Sequence, residues 1–308
     1  EIIISVGGKQ VLFNALLSSI NPGDEVIIPS PYWVSYPDMV ALAGGKPIIV
    51  EGKSENNFKI MPEDIKDKIS TKTKWIIINS PSNPTGSSYS KKELKNIGDL
   101  LINYKNIFIM SDDIYEKIIY DDNKFYTIAE VVPELKDRIL TVNGVSKAYA
   151  MTGWRIGYAG GPKTLISAMA KLQSQSTSNP SSISQAAALA ALEGPEDFLS
   201  ERNAQFKIRR NMVVEKLNKC KGIHCLLPTG AFYVYPSCKG LIGKQTPAGQ
   251  IINNSIDFSS YLLEEVGVAV VPGSAFGADF FFRISYATSD SILVEACNRI
   301  QKACDQLI

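Results

Sequence analysis

An α/β fold is what this 308-residue sequence predicts, with a mainly parallel sheet followed by a smaller α/β unit. Three observations carry that expectation. Short β-branched runs alternate with longer amphipathic stretches through the first two thirds, the rhythm of strand–helix–strand units. That rhythm breaks near residue 196, where a long charged helical pattern begins. The composition, 45% apolar and 20% charged, is that of a folded chain, and the length suits about two domains of ~150 residues.

Taken in order, Ile2 to Val6 opens the chain as a strand-like run, and Lys9 to Ile20 reads as a helix. The turn Asn21-Pro22-Gly23-Asp24 leads into a strand over Val26 to Pro29. Further strands are predicted at Pro47 to Val50, Trp75 to Asn79, Ile107 to Met110 and Arg138 to Val142. Helical patterns lie between them at Tyr36 to Ala43, Pro62 to Lys68 and Lys91 to Tyr104. After Gly194-Pro195, residues Asp197 to Lys219 form a long amphipathic helix candidate, which sets a domain boundary near 196. Beyond it come a strand around Gly230 to Val234, a Gly- and Pro-containing loop, another helix, a buried strand over Val266 to Val271, and a final strand Phe280 to Tyr286.

Composition also excludes. Lys plus Arg (32) balances Asp plus Glu (31), so the basic excess of a nucleic-acid binder is missing. No apolar run reaches the ~18 residues of a membrane span. Five scattered cysteines without a CxxC pair suit a reducing compartment, and the expectation is a cytoplasmic protein. One histidine, His224, speaks against a histidine-based metal site or a Ser-His triad, so no metal is expected. The chain opens on Glu1 and not on a methionine, from which a natural N-terminal part beyond these residues is expected.

Ligands of a parallel sheet gather where loops leave the strands' carboxyl ends. Lys147 lies in such a loop, in Ser146-Lys147-Ala148-Tyr149-Ala150-Met151-Thr152-Gly153-Trp154-Arg155-Ile156-Gly157-Tyr158. Desolvation there would lower its pKa and free an amine nucleophile or base, although a lone Ser-Lys pair is more often an ordinary solvated lysine. In Asn79-Ser80-Pro81-Ser82-Asn83-Pro84-Thr85-Gly86, prolines and a glycine set a rigid turn, with Asn83 at the sheet edge. Asp112 and Tyr115 follow another strand and would share a pocket, and a helix N-cap by Ser111 or Asp112 is compatible with that role. Gly7-Gly8-Lys9-Gln10 sits between a strand and a helix, where free N–H groups favour an anion such as phosphate.

In this order the segments resemble class I pyridoxal-phosphate aminotransferases of the aspartate aminotransferase family, from Val6 to Ala287. The S-K-x-x-x-M-T-G-W-R-x-G-Y, N-S-P-x-N-P-T-G and S-D-x-I-Y segments carry the likeness, each highly specific in combination. Gly7 to Gln10 and Pro31-Tyr32-Trp33-Val34-Ser35-Tyr36 look like the bacterial branch that includes aspartate and prephenate aminotransferases. The resemblance implies fold type I: a large domain, residues 1–196, with a seven-stranded sheet, and a small C-terminal domain, residues 197–308.

It also implies a cofactor, pyridoxal 5'-phosphate, and a role for each matching residue. Lys147 matches the Schiff-base lysine that moves the substrate's α-proton, and Asp112 the carboxylate that keeps the pyridine nitrogen protonated. Tyr115 and Asn83 match groups bonded to the cofactor's phenolic oxygen, and Arg155 the phosphate-binding arginine, helped by Gly8 and Lys9. Trp33 matches the ring stacked on the pyridine, and Arg283 the fork that clamps the substrate α-carboxylate. Lys9 is expected to read the distal carboxylate of an acidic substrate.

The expected reaction is ping-pong amino transfer between an acidic amino acid and 2-oxoglutarate or a related oxoacid, in a homodimer with shared active sites. Prephenate is the alternative acceptor. Other carbanion chemistry on the same fold, or a non-enzymatic regulator domain, are the competing classes. Two positions depart from the family pattern. Gly144 stands where many relatives carry a serine, and Asp113 where a glutamate is common, a change expected to be minor. The family's lid, substrate-touching glycine and cross-subunit tyrosine have no match within residues 1–308.

Overall fold

A computed structural model describes residues 1–308. The first unit runs β1 (Ile2–Val6), α1 (Gly8–Ser19), β2 (Glu25–Ser30), α2 (Ser35–Leu42), β3 (Lys46–Glu51), α3 (Pro62–Lys66), β4 (Thr73–Asn79) and α4 (Lys91–Ile102). It continues through β5 (Phe108–Asp112), α5 (Ile128–Val131), β6 (Ile139–Gly144), β7 (Ile156–Gly160), α6 (Lys163–Ser174) and α7 (Ser182–Glu193). The seven strands make one sheet in the order β1-β7-β6-β5-β4-β2-β3. Neighbours from β3 to β6 pair in parallel, and β7 runs antiparallel to both β6 and β1.

Both faces of the central strands β2, β4 and β5 are buried, which is why they read as continuous apolar runs. Val26, Ile28, Trp75 and Ile77 point to one face, against Leu12 and Leu16 of α1, Val40 of α2 and Met169 of α6. Their neighbours Ile27, Ile76 and Ile78 point to the other, against Ile65 of α3 and Leu94, Ile97 and Leu101 of α4. The two-residue period of a strand thus sorts adjacent residues into separate cores. α4 begins on a reciprocal cap between Ser90 and Glu93. The strand ends that matter for function, Asn79, Asp112 and Gly144, lie at the carboxyl edge of three adjacent strands, β4, β5 and β6.

The long helix α8 (Asp197–Leu217) leads to β8 (Tyr233–Val234), α9 (Ser255–Val266), β9 (Val271–Pro272), β10 (Phe282–Ser285) and α10 (Asp290–Asp305). The three strands form an antiparallel sheet, β8-β10-β9. Val213 and Leu217 of α8, Phe258 and Leu262 of α9 and Ile300 of α10 pack with it, and Tyr115, Ile118 and Tyr120 join this core from the first unit. Arg210 of α8 is fully buried at that junction. It bonds Asp121 and the Pro228 carbonyl and lies 4.8 Å from the centroid of the Tyr120 ring. Arg210 and Lys207 in turn hold the Asp121 carboxyl down at about 2.

Several elements depart from the sequence expectation. Val266 to Val271 is not one strand: α9 extends to Val266, Gly267 closes it at φ 66°, and only Val271–Pro272 pairs in a ladder. The helix after residue 196 ends at Leu217, two residues early. β7, α6, α7 and α10 complete the architecture without having been expected as separate elements. All five cysteines are free and buried, and no helix is long and apolar enough to cross a membrane.

Candidate active site

The floor of the site is built where β4 and β5 end. Asn79 donates its side-chain amide to the Asp112 carbonyl at 2.8 Å, and its oxygen accepts from the Asn83 backbone N–H at 2.9 Å. This pair locks the Asn83 loop onto the next strand. Asp112 is itself the last residue of β5, and no helix begins there, so the N-cap role does not apply. Asp113 to Glu116 forms a turn that carries Tyr115 inward, closed by Glu116 N–H donating to the Asp113 carbonyl at 2.9 Å.

The Asp112 carboxylate is buried and accepts from the Tyr36 hydroxyl at 2.5 Å. Burial pushes its pKa up, while Tyr36, the Ile114 N–H and the Lys147 charge pull it down. Tyr36 carries no role in the sequence reading. Trp33 and Tyr36 stand three residues apart in the turn that leads into α2, closed by the Tyr36 N–H donating to the Trp33 carbonyl at 3.0 Å, and their rings meet edge-on at 5.3 Å.

Lys147 sits half-buried in the loop after β6, with its ammonium 5.8 Å from the Tyr115 ring centroid and 5.6 Å from that of Phe232. Burial lowers its pKa first, and the charges of Arg283 and Arg155 lower it further, against an opposing pull from Asp112. These are the conditions under which a lysine becomes a neutral amine. Gly144, three residues earlier, has no room for a side chain: a Cβ would lie 2.8 Å from the Ile156 carbonyl oxygen and 3.1 Å from the Gly157 Cα. The missing serine is thus a packing consequence, and Ser146 lines the cavity instead.

An anion cradle closes one end. Gly7 precedes α1 at φ 83°, with no side-chain cap and no acid in the first helical turn. The helix start therefore presents its partial positive charge unopposed. A Cβ on Gly7 would come 2.4 Å from Arg155 Nη2, so the glycine lets the guanidinium approach the backbone. Arg155 is steadied by donating Nη1 to the Thr152 carbonyl at 2.9 Å. Lys9, on the first turn of α1, holds its ammonium 4.9 Å from the Trp33 ring centroid.

From the second sheet, β10 delivers Arg283. Its Nη1 donates to Asn83 Oδ1 at 2.9 Å, its guanidinium lies 4.6 Å from the Tyr233 ring centroid, and its Nε is buried without a partner. Gly8, Lys9, Trp33, Asn83, Asp112, Tyr115, Lys147 and Arg155 all line one cavity of about 160 Å³. Arg283 reaches it through Asn83. Arg283 itself lies outside that lining, in a neighbouring groove with Val271 and Ile284. The cavity is cationic around one buried acid, with no cluster that could hold a metal ion.

Asp113 behaves unlike its neighbour. Its Oδ1 accepts from Ser111 Oγ at 2.7 Å, its Oδ2 has no partner, and burial raises its pKa from 3.8 to about 7. Between about pH 4 and 7 the folded chain therefore holds a proton that the unfolded chain has lost. That stabilisation is whole below about pH 4 and drains as pH rises through 7. Asp113→Asn should raise the unfolding free energy at pH 8 by on the order of 1–3 kcal/mol and change it little at pH 4. Urea denaturation at both pH values checks this; an equal effect at the two would contradict it.

Comparison with known proteins places the chain. Residues 1–300 match the family "Aminotransferase class I and II", and the chain belongs to that family. It is 58% identical over 307 residues to a Rickettsia typhi protein named "Probable aspartate/prephenate aminotransferase", covering 100% of this chain and 77% of that one. It is 53% identical over 307 residues to the aspartate aminotransferase of Rhizobium meliloti, covering 75% of that protein. The crystal structure of the Rhizobium meliloti aspartate aminotransferase superposes with a TM-score of 0.98 over 100% of this chain and 77% of that one. A Thermus thermophilus aspartate aminotransferase with maleate gives 0.90 at 41% identity, over 98% of this chain and 76% of that one. The fold is that of the type I aminotransferases, as expected, and the chain is an enzyme of that kind.

Proposed function

We propose that this chain is a pyridoxal 5'-phosphate-dependent aminotransferase that exchanges the amino group of an acidic amino acid, L-aspartate foremost, with 2-oxoglutarate. The observation that carries the reading is the half-buried, pKa-lowered Lys147 in one cavity with buried Asp112 and the Arg155 cradle. The cavity's chemistry fits the cofactor: an uncapped helix start and an arginine suit a phosphate, and a lone buried carboxylate suits a protonated ring nitrogen. When bound there, the cofactor supplies an electron sink for charge at the substrate α-carbon.

The chain's own groups do the rest. Arg155 and the backbone N–H groups of Gly8 and Lys9 would hold the phosphate, and Trp33 would stack on the ring. Asp112, fixed by Tyr36, holds the proton on the ring nitrogen. Asn83 spends its oxygen on Arg283, which leaves its Nδ2 hydrogens, with the Tyr115 hydroxyl, for the phenolic oxygen. Lys147 Nζ would hold the cofactor, and its amine is the group that would take the proton from the substrate α-carbon. The buried, unpaired Nε of Arg283 is a ready donor for the α-carboxylate.

The same reading divides the chain at 196/197, with α8 entering a small C-terminal domain; the two separate sheets support this. It makes the enzyme a homodimer with shared active sites. The apolar helix α7 supports that, since it leaves Ile183, Leu189 and Leu192 exposed. A cytoplasmic location agrees with five unpaired thiols.

Prephenate is a second acceptor to weigh, because relatives carry both substrates in their names. A panel of aspartate with 2-oxoglutarate, prephenate or no acceptor tests the assignment. Oxaloacetate formed only with an acceptor supports transamination; fumarate with ammonia, or alanine or β-alanine with carbon dioxide, released without one would indicate elimination or decarboxylation.

Lys9 is proposed as the group that reads the distal carboxylate. Its ammonium is held over Trp33 at the cavity wall, beside the phosphate cradle. Losing a charge-assisted hydrogen bond costs about 1.5–3 kcal/mol. Lys9→Ala should therefore lower kcat/KM for aspartate by roughly tenfold to a hundredfold, and for alanine much less. An equal loss on both substrates would make Lys9 a cofactor ligand only.

A further inference from the structure

Behind Tyr115 lies a second phenol that no part of the proposed function uses. Tyr233 of β8 is buried, and its hydroxyl oxygen stands 2.9 Å from that of Tyr115. The two rings meet at 80° with centroids 5.8 Å apart. Tyr115 lines the cavity, whereas Tyr233 does not. Arg283 sits on the other side of Tyr233, its guanidinium 4.6 Å from the ring centroid. Tyr233 thus lies between the group facing the cofactor's phenolic oxygen and the group facing the substrate carboxylate.

The direction of the Tyr115–Tyr233 bond follows from counting protons. Each phenol has one proton to give. The two hydroxyls are each other's one partner within the chain, and either can donate. Only Tyr115 lines the cavity, so with an acceptor oxygen bound there both phenol protons are satisfied when Tyr233 donates to Tyr115 and Tyr115 donates onward. That leaves the proton of Tyr115 free to point into the cavity. Burial raises the pKa of Tyr233, against a pull from its hydrogen bond with Tyr115 and then from the Arg283 charge. Burial, Tyr233 and Asp112 push Tyr115 well above the ordinary value.

We propose that Tyr233 is a positioning residue, whose hydroxyl donates to Tyr115 and so commits the Tyr115 proton to the phenolic oxygen of the bound cofactor. The inference rests on the pyridoxal-phosphate reading and deepens it. It ties the proton donor at the cofactor to the arginine that receives substrate, since a carboxylate pairing with Arg283 weakens the cation's pull on Tyr233. In a polarised chain of this kind each hydrogen bond strengthens the next.

The test is spectroscopic. A hydrogen bond to the phenolic oxygen draws electron density from the nitrogen that joins lysine and cofactor, and lowers the pH at which that nitrogen loses its proton. In the holoenzyme, Tyr233→Phe should raise the pH midpoint of the cofactor's visible band by about half to one unit. It should lower kcat more than it raises KM, because Arg283 is untouched. In a Tyr115→Phe background the same change should add no further shift, as coupled residues do not act additively. Replacing Tyr233 by 3-fluorotyrosine, a more acidic phenol that keeps the hydroxyl, should move the midpoint down even if the phenylalanine variant fails to fold. An unmoved midpoint in the single variants, or the same shift with and without Tyr115, overturns the proposal. If the wild-type protein shows no cofactor band trapped on Lys147, the functional reading itself fails, and this inference with it.

Discussion

Lys147→Ala is expected to remove both the visible absorption of the bound cofactor and the reaction. A lost general base alone costs about 10²–10⁴-fold in kcat. Loss of the covalent anchor adds to that, so turnover should fall by at least about four orders of magnitude. Borohydride reduction of the wild-type holoenzyme should attach the cofactor to the peptide carrying Lys147, and to no peptide in the variant. Fold should be little affected, since the side chain is half-buried and bonds no neighbour, and unchanged circular dichroism would show that. Attachment to another lysine would remove the basis of the functional reading.

The second large effect is expected at Asp112. Its carboxylate is the one acid that lines the cavity, and it is held by a 2.5 Å bond from Tyr36. Asp112→Ala would leave the ring nitrogen without the anion that keeps its proton. Groups that stabilise developing charge in a dry site are each worth roughly 10²–10³-fold, so kcat should drop by about that much. Asp112→Glu should recover part of the loss, while Tyr36→Phe should cost far less than either. Single-turnover absorbance changes with aspartate separate this defect from weaker cofactor binding, which excess cofactor would correct. A variant restored fully by excess cofactor would make Asp112 a binding residue only.

Much of this was legible before any coordinates. The parallel sheet was readable because both of its faces are buried, so its strands appear as uninterrupted runs such as Trp75 to Ile78. The floor of the site was readable because turn chemistry marks the carboxyl ends of those strands. What stayed hidden depends on contacts between residues far apart in sequence. Tyr233 is an apolar-looking member of Gly-Ala-Phe-Tyr-Val until Tyr115, 118 residues away, meets its hydroxyl. Asp113 passes for a mild replacement of glutamate until burial leaves one oxygen unpaired. The run Val266 to Val271 reads as one strand because a helix end and a strand share the same apolar composition, and Gly267 decides between them through its backbone angle. β7 was missed for a related reason, since it follows the Lys147 loop without any turn signal of its own.

Arg283 has a consequence for which molecules the enzyme turns away. One arm of its guanidinium is already engaged by Asn83, and its buried Nε waits without a partner. An amine that lacks an α-carboxylate enters this pocket and leaves that donor dry and unanswered. An ester or a primary amide answers it with a neutral oxygen in place of an anionic one. On the proposed role of Arg283, simple amines, esters and amides should be disfavoured because only a carboxylate pairs that Nε in full, and rejection of this kind is steeper than a missing methylene could achieve. On the same proposal, small carboxylic acids should compete for the site, even those with no amino group to transfer.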